Sequence, residues 1–334
     1  MLGYVLKRLL QGFFILFGVS FLSFLIIKLS PGSILDQLKL NPSISPETLK
    51  QLQEAYGLNE NPIIQFFQWF KNALTFDFGY SLQYHAPVSE LIAQRLPNTL
   101  ALSITSGIIA WVLALVLGIT AALSKTQLLP LKWGKWIDRF ALAFSYTFMS
   151  IPNFFLAFLL MVFFVKTGWL PVGGTHSPDY QKLSPFGQFW DYLKHLVLPA
   201  TVLGFAGAAS LLRLVRSSAL EVLNSPLMVY LRAKGAPRRV ILKHLFRNML
   251  NPFITLLGFE IANLISGAGI IEIIVGWPGI GMLMLDAVLS KDIFLVMGTL
   301  YIGTLLLIVG NLIADLLLAL NDPRIRDREL TGNK

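Results

Sequence analysis

Residues 99–123 read TLALSITSGIIAWVLALVLGITAAL, 25 residues from Thr99 to Leu123 without one charged side chain. An α-helix rises 1.5 Å per residue and the hydrocarbon core of a bilayer is about 30 Å thick, so a span takes roughly 20 apolar residues. This stretch is long enough to cross with some tilt. A surface helix of a soluble domain would carry a charged face, and this one carries only small hydroxyls. The stretch therefore decides the fold class: an all-α integral membrane protein.

Five more apolar runs lie around it, approximately Leu9–Ile27, Phe140–Val165, Leu196–Leu212, Phe253–Val275 and Phe294–Leu320, for about six transmembrane helices. Composition agrees. The 334 residues are 55% hydrophobic and 13% charged, with a mean hydropathy of +0.65. Soluble domains are roughly 25% charged, so a chain this poor in charge presents much of its surface to lipid. Little length is left for a second soluble domain. The first run follows Lys7 and Arg8 as a signal peptide would, yet it is longer than a signal h-region and has no A-x-A site before Pro31. It reads as an uncleaved anchor.

The net charge of +9 reflects topology and gives no sign of a nucleic-acid partner. With the N-terminus inside, the cytoplasmic segments hold 18 of the 27 basic residues, including Lys125, Lys132, Lys135 and Arg139, eight between Arg213 and Arg247, and four in the tail. The positive-inside rule then places both termini in the cytoplasm. The chain divides into an N-terminal segment with the first span (1–29), an outer segment (30–97), a membrane core (98–320) with a cytoplasmic loop at 217–252, and a tail (321–334). In the long outer segment, Pro46 opens one helical pattern that Gly57 closes. A second follows Pro62, and its Phe66, Phe67, Trp69 and Phe70 suit a helix at the membrane interface.

Several chemistries drop out. The absence of cysteine removes disulfides, thiolate metal sites and Cys nucleophiles. His85, His176, His195 and His244 include no i, i+4 pair, so no helical zinc pair and no H-E-x-x-H exists. There is no G-x-x-x-x-G-K-[ST] loop to cradle ATP. The spans lack the paired aspartates or the Ser–His set of an intramembrane protease.

The loop from Ser225 to Pro252 reads as two helices. Ser225 is a good N-cap and Pro226 fits the first helical position. Lys234-Gly235 reads as a C-terminus with glycine just past it. The next helix starts at Pro237, with Val240, Ile241, His244 and Leu245 on one side and Arg238, Arg239, Lys243 and Arg247 on the other; Asn251-Pro252 is expected to end it. A short helix followed by a basic amphipathic one serves either as a knob for a partner protein or as a support on anionic headgroups. Spacing alone leaves the two open.

Arg232-Ala233-Lys234-Gly235, with His244, Arg247-Asn248 and Pro252 behind it, resembles the cytoplasmic signature loop of ABC-importer permeases, in the branch that imports dipeptides, oligopeptides and nickel. The likeness extends to Tyr56-Gly57-Leu58, Phe76-Asp77-Phe78-Gly79-Tyr80-Ser81, Arg95-Leu96-Pro97-Asn98-Thr99-Leu100, Leu198-Pro199-Ala200, Trp277-Pro278-Gly279-Ile280-Gly281 and Asp322-Pro323-Arg324. One departure stands out. Before Arg232, where the family is polar or small, this chain has Met228, Val229, Tyr230 and Leu231.

The resemblance implies one permease subunit of an ATP-driven importer for di- or oligopeptides. It would pair with a second, homologous permease, two cytoplasmic ATPase subunits and an extracytoplasmic substrate-binding protein in a bacterial or archaeal plasma membrane. ATP and magnesium would sit on the ATPases, and no cofactor or metal in this chain. Leu231, Arg232, Ala233, Lys234, Gly235, Arg238, Arg239, His244, Arg247 and Asn248 would form the coupling surface. Small residues in the fourth and fifth spans, such as Gly204, Gly207, Ala208, Ala209, Gly258, Gly267 and Gly269, would let helices slide closely. Acidic groups in spans are costly, which marks Glu260 and Glu272 as candidates for the translocation pathway, with Trp277 beside the outer turn, and Asp315 for a structural role. Nickel, glutathione or oligosaccharide import fits the same architecture. An ion-coupled secondary transporter is a further alternative, although no internal repeat of the kind such proteins use is evident.

Overall fold

The computed structural model describes residues 2–29, 47, 61–126 and 134–321; side chains at 2, 4, 250–252, 254–268, 314 and 318–321 lie outside the description. The expected helix from Pro46 to Gly57 falls almost wholly outside it. Within the described residues the chain is helical apart from one short hairpin. The order is α1 (Leu2–Leu29), α2 (Pro62–Ala73), β1 (Tyr80–Ser81), β2 (Ala86–Pro87), α3 (Val88–Ser124), α4 (Gly134–Ser150), α5 (Asn153–Thr167), a 3-10 turn at Tyr180–Lys182, α6 (Pro185–Leu223), α7 (Pro226–Ala233), α8 (Arg238–Val275), α9 (Ile280–Leu289) and α10 (Ile293–Asn321).

Four described helices are long and apolar enough to cross a membrane: α1, α3, α6 and α10. Two broken pairs, α4 with α5 and the end of α8 with α9, bring the number to as many as six where each pair is one span. The third run, read from the sequence as one span over Phe140–Val165, is thus two helices that turn through 102°. Pro152 is the cause. It brings no N–H to the helix, and it pushes Ile151 out of the helical region. The fifth run differs in the opposite sense. α8 runs unbroken from Arg238 through Asn251 and Pro252 to Val275, so the basic helix of the loop and the fifth span are one rod. α9 was not anticipated at all.

The chain forms two compact units. One comprises Leu2–Thr99 and Pro278–Val309. Its core is aromatic: Phe66, Trp69 and Phe70 of α2 are buried against Phe17 and Phe21 of α1, with ring centroids 5.1 Å apart for Phe21–Phe66 and 5.2 Å for Phe17–Phe70. The α2 aromatics, expected at the membrane interface, thus mostly fill a protein core, and only Phe67 of the four is exposed. Asp292 closes the unit. It is the N-cap of α10, accepting from Leu295 N–H at 3.2 Å, and it also accepts from Ser81 Oγ at 2.8 Å and Gln83 N–H at 3.1 Å.

The other unit holds Leu100–Trp277 and the chain from Gly310. Its helices approach closely where the sequence placed small residues. A Cβ on Gly204 would lie 2.6 Å from Ile109 Cγ2, and one on Gly207 would lie 3.1 Å from Ala110. Ala208 and Ala209 are fully buried. The contacts of Gly258 and Gly267 lie outside the description. Overpacking of this kind costs about 1–3 kcal/mol. Gly204→Val is therefore expected to lower the thermal stability of the detergent-solubilised protein, while Gly18→Ala, with nothing within 4 Å of the added methyl, leaves it unchanged. Equal melting of the two variants would refute the close α3–α6 approach.

Candidate functional site

The loop after α6 is built from ordinary capping chemistry. Ser225 Oγ accepts from Met228 N–H at 3.5 Å and Pro226 sits at the first helical position. At the far end Lys234 is the C-cap and Gly235 takes φ +68°. Gly235 N–H donates to Arg232 O and Ala236 N–H to Leu231 O, both at 3.0 Å. This pair of bonds needs a left-handed residue at Gly235, which glycine adopts without a Cβ penalty.

The loop has two faces. Met228, Leu245 and Met249 are fully buried, and Ile241 is nearly so. They join Leu212, Val215, Ala219 and Leu223 of α6 in one core cluster, so burial on α8 recurs at 241, 245 and 249. Outward face Leu227, Val229 and Tyr230, 45%, 55% and 54% exposed. Lys234 Nζ sits 4.8 Å above the Tyr230 ring. Ala233, Lys234, Gly235, Arg238, Arg239, Lys243, Arg247 and Asn248 are exposed too. The result is an apolar patch beside a basic rim.

The residues of the signature run separate between these faces. Leu231, Arg232 and His244 are half-buried. Arg232 turns back on its own chain. Its Nη2 donates to the carbonyl of Leu223, and its Nε donates to Met228 O at 3.2 Å. Leu223 ends α6, where carbonyls lack intrahelical partners. Arg232 therefore ties the short helix to the end of a span. Asn248 Nδ2 donates to His244 O at 2.8 Å, within α8. Reading the motif as a contact surface missed this division. It also left Leu227, Val229 and Tyr230 out of the candidate surface; the signal available was their greasy departure from the family pattern.

One turn above the loop, Asp138 of α4 accepts from Arg216 Nε at 2.7 Å and lies 3.3 Å from Lys125 Nζ. This carboxylate is nearly buried and ties α4 to α6 and the end of α3.

The motifs at 95–100 and 277–281 also come together. Asn98 Nδ2 donates to Pro278 O at 2.9 Å, and Thr99 Oγ1 accepts from Ile280 N–H at 2.8 Å. The Pro-Asn-Thr run thus caps α9. Glu272 and Trp277 are fully buried. Trp277 N–H donates to Glu272 O at 2.7 Å and its indole lies 5.4 Å from the Tyr192 ring, so both belong to the packed end of α8. The side chain of Glu260 lies outside the description. His195 is buried, with Nδ1 2.8 Å from Asp191 O, while His176 stacks on Tyr180 at 4.0 Å. In the other unit, Tyr84 Oη donates to Asp286 at 2.8 Å; burial first, then this bond, pushes the phenol up to about 12. No group of three metal-ligating side chains occurs among the described residues.

A charge-assisted bond of the Arg232 type contributes about 1.5–3 kcal/mol. Arg232→Ala is expected to raise amide hydrogen exchange across 225–236 at least about tenfold, since 1.4 kcal/mol is a factor of ten. Arg232→Lys restores part of the protection. Unchanged exchange in Arg232→Ala would show that the bond does not hold the helix.

Comparison with known proteins gives two family-model matches that together cover nearly the whole chain. Residues 114–327 match the binding-protein-dependent transport system inner membrane component, and residues 1–103 match the N-terminal part of such membrane components. The chain is 39% identical to the oligopeptide transport system permease protein AppB of Bacillus subtilis, over 97% of this chain and 99% of the relative. It is 33% identical to the dipeptide transport system permease protein DppB of Alkalihalophilus pseudofirmus, over 98% and 100%. To the glutathione transport system permease protein GsiC of Shigella flexneri it is 34% identical, over 98% and 99%.

Proposed function

We propose a working mechanism from the premise that this chain belongs to the family of binding-protein-dependent transport system inner membrane components. It is a permease subunit of an ABC transporter for peptide import, a multi-pass protein of the bacterial plasma membrane, and not itself a catalyst. Importers of this family work with ATPase and substrate-binding partners. The finer reading is that this chain pairs with a second, homologous permease above two ATPase subunits. ATP and magnesium then belong to those ATPases, and an extracytoplasmic binding protein delivers the peptide.

The observation that carries this reading is the two-faced loop. Leu227, Val229 and Tyr230 stand outside every span, rimmed by Lys234, Arg238, Arg239, Lys243 and Arg247. An exposed apolar patch with a charged rim is the anatomy of a protein contact. The complementary ATPase groove would have an apolar floor and acidic edges. Movement of that groove pushes α7. Arg232 carries the push to the end of α6, and the rod from Arg238 to Val275 carries it the length of the fifth span. The outer turn after α8 then moves with its inner end. The pathway opens alternately to the two sides as the helices slide on their small residues.

Peptides are the substrate class, and the exact length depends on the binding protein. A second reading, import of the tripeptide glutathione, is favoured by the 34% identity to a glutathione permease. Competition between labelled oligopeptide and glutathione for uptake by the reconstituted transporter separates the two.

Tyr230→Asp places a charge in the centre of the patch. It is expected to weaken ATPase co-purification about tenfold or more, as loss of an aromatic hot spot does, and to abolish ATP-dependent uptake while the chain stays in the membrane. A Cβ at Gly235 would meet no atom within 4 Å, so Gly235→Asp is expected to act through backbone strain of about 1–2 kcal/mol and to uncouple transport in the same assay. Full uptake by both variants would sink the docking reading. For the pathway, Glu260→Gln is expected to reduce uptake of cationic peptides, whereas Glu272→Gln, at a fully buried site, would act only through the packing of α8; unchanged transport by both removes these residues from the pathway.

A further inference from the structure

We propose that the groove between α4 and α6 holds the phosphate of an anionic lipid. Leu142 and Tyr146 of α4 face Ser210, Arg213, Leu214 and Ser217 of α6 across a space of about 530 Å³. That volume falls within the roughly 300–1,000 Å³ of small-molecule sites. The α6 residues recur at i, i+3, i+4 and i+7, so they form one stripe along the helix.

Charge is what asks for an occupant. Arg216 borders the groove, yet its Nε is committed to Asp138 at 2.7 Å, and Lys125 shares the same carboxylate. Arg213 is exposed, one turn deeper along α6, and makes no hydrogen bond or ion pair among the described residues. Two cations therefore share the one carboxylate of Asp138, and Arg213, a turn away, has no anion of its own. An arginine displaced from water towards hydrocarbon is costly unless an anion meets it.

Depth supports the same occupant. Trp136, at the start of α4, is 63% exposed, with the Arg139 guanidinium 5.5 Å from its ring centroid. Exposed tryptophan beside arginine marks the headgroup level of a membrane. Asp138, two residues on, meets Arg216, so Arg213 lies about one turn inside that belt. A lipid phosphate there reaches Arg213 and the outer N–H groups of Arg216, while an acyl chain runs along Leu142, Tyr146 and Leu214. The hydroxyls of Ser210 and Ser217 now donate to Gly207 O and Leu214 O at 3.0 Å, and a rotamer change turns either one to the phosphate. Basic pockets between spans at this leaflet are where anionic headgroups settle.

Native mass spectrometry of the full chain, purified with its co-purifying partners, tests the assignment during stepwise delipidation in phosphatidylglycerol and phosphatidylethanolamine. Wild type is expected to keep one phosphatidylglycerol after phosphatidylethanolamine has left. Removing one basic contact weakens headgroup binding by about 1 kcal/mol, so Arg213→Gln should retain about fivefold less. Arg213→Lys should stay near wild type, and Arg139→Gln, outside the groove, should not differ. Equal retention of the two lipids, or undiminished retention in Arg213→Gln, overturns the proposal. Complex dissociation in Arg213→Gln at unchanged lipid retention also overturns it, and makes the groove a subunit contact. Displacement of the lipid by inorganic phosphate assigns the site to a free anion and overturns the lipid as its source.

Discussion

A helix end leaves peptide N–H and C=O groups without intrahelical partners, and a bilayer offers them none, so the described helix ends supply substitutes. Four helices solve this in the same way. At the ends of α2, α7, α8 and α9, one N–H reaches back five residues and the one before it reaches back three: Asp77 to Asn72 with Phe76 to Ala73, Ala236 to Leu231 with Gly235 to Arg232, Trp277 to Glu272 with Gly276 to Ile273, and Asp292 to Ala287 with Lys291 to Val288. Each closure needs a left-handed residue, and φ at Phe76, Gly235, Gly276 and Lys291 lies between 55° and 68°. Two of the four are glycine, which takes that conformation freely. Phe76 and Lys291 carry a Cβ there, at a cost the surrounding bonds must offset.

Side chains finish what the backbone leaves open. Thr99 receives Ile280 N–H, Asn98 satisfies Pro278 O, and Asp292 caps α10 while holding the hairpin through Ser81 and Gln83. Arg232 does the same for Leu223 O. These residues lie in the stretches that make the sequence recognisable. Much of what reads as a functional signature is thus the chemistry of ending a helix. The distinction matters for Arg232, whose contribution runs through the rigidity of the short helix. The surface offered outward belongs to Leu227, Val229, Tyr230 and the basic rim.

Rigidity is unevenly distributed along the chain. The rod from Arg238 to Val275 joins the loop after α7 to the turn at Gly276 in one continuous helix, although Pro252 within it has no N–H to donate. The α4–α5 pair, by contrast, turns through 102° at Pro152. One proline lies within a helix and the other breaks one. Sequence rules treat them alike, because both only remove a donor and crowd the preceding turn. What neighbours restore those losses is a property of the packed protein.

The sequence by itself determined the solvent of this protein, the number of its spans and the caps of α7. Charge-free runs the length of a bilayer permit no other home, and Ser225-Pro226 and Gly235 carry their helix boundaries in their own local chemistry. Close packing at Gly204 and Gly207 was legible as well, because only small residues allow it. The tertiary structure alone decided the break at Pro152, the continuity through Pro252, the existence of α9 and the role of the α2 aromatics as core. It also decided which side of the loop after α6 faces out. An i, i+4 pattern shows that two faces exist, but Met228 and Arg232 are inward only because α6 ends beside them with apolar side chains and an unsatisfied carbonyl. Those contacts join residues distant in the chain, and no local preference encodes them.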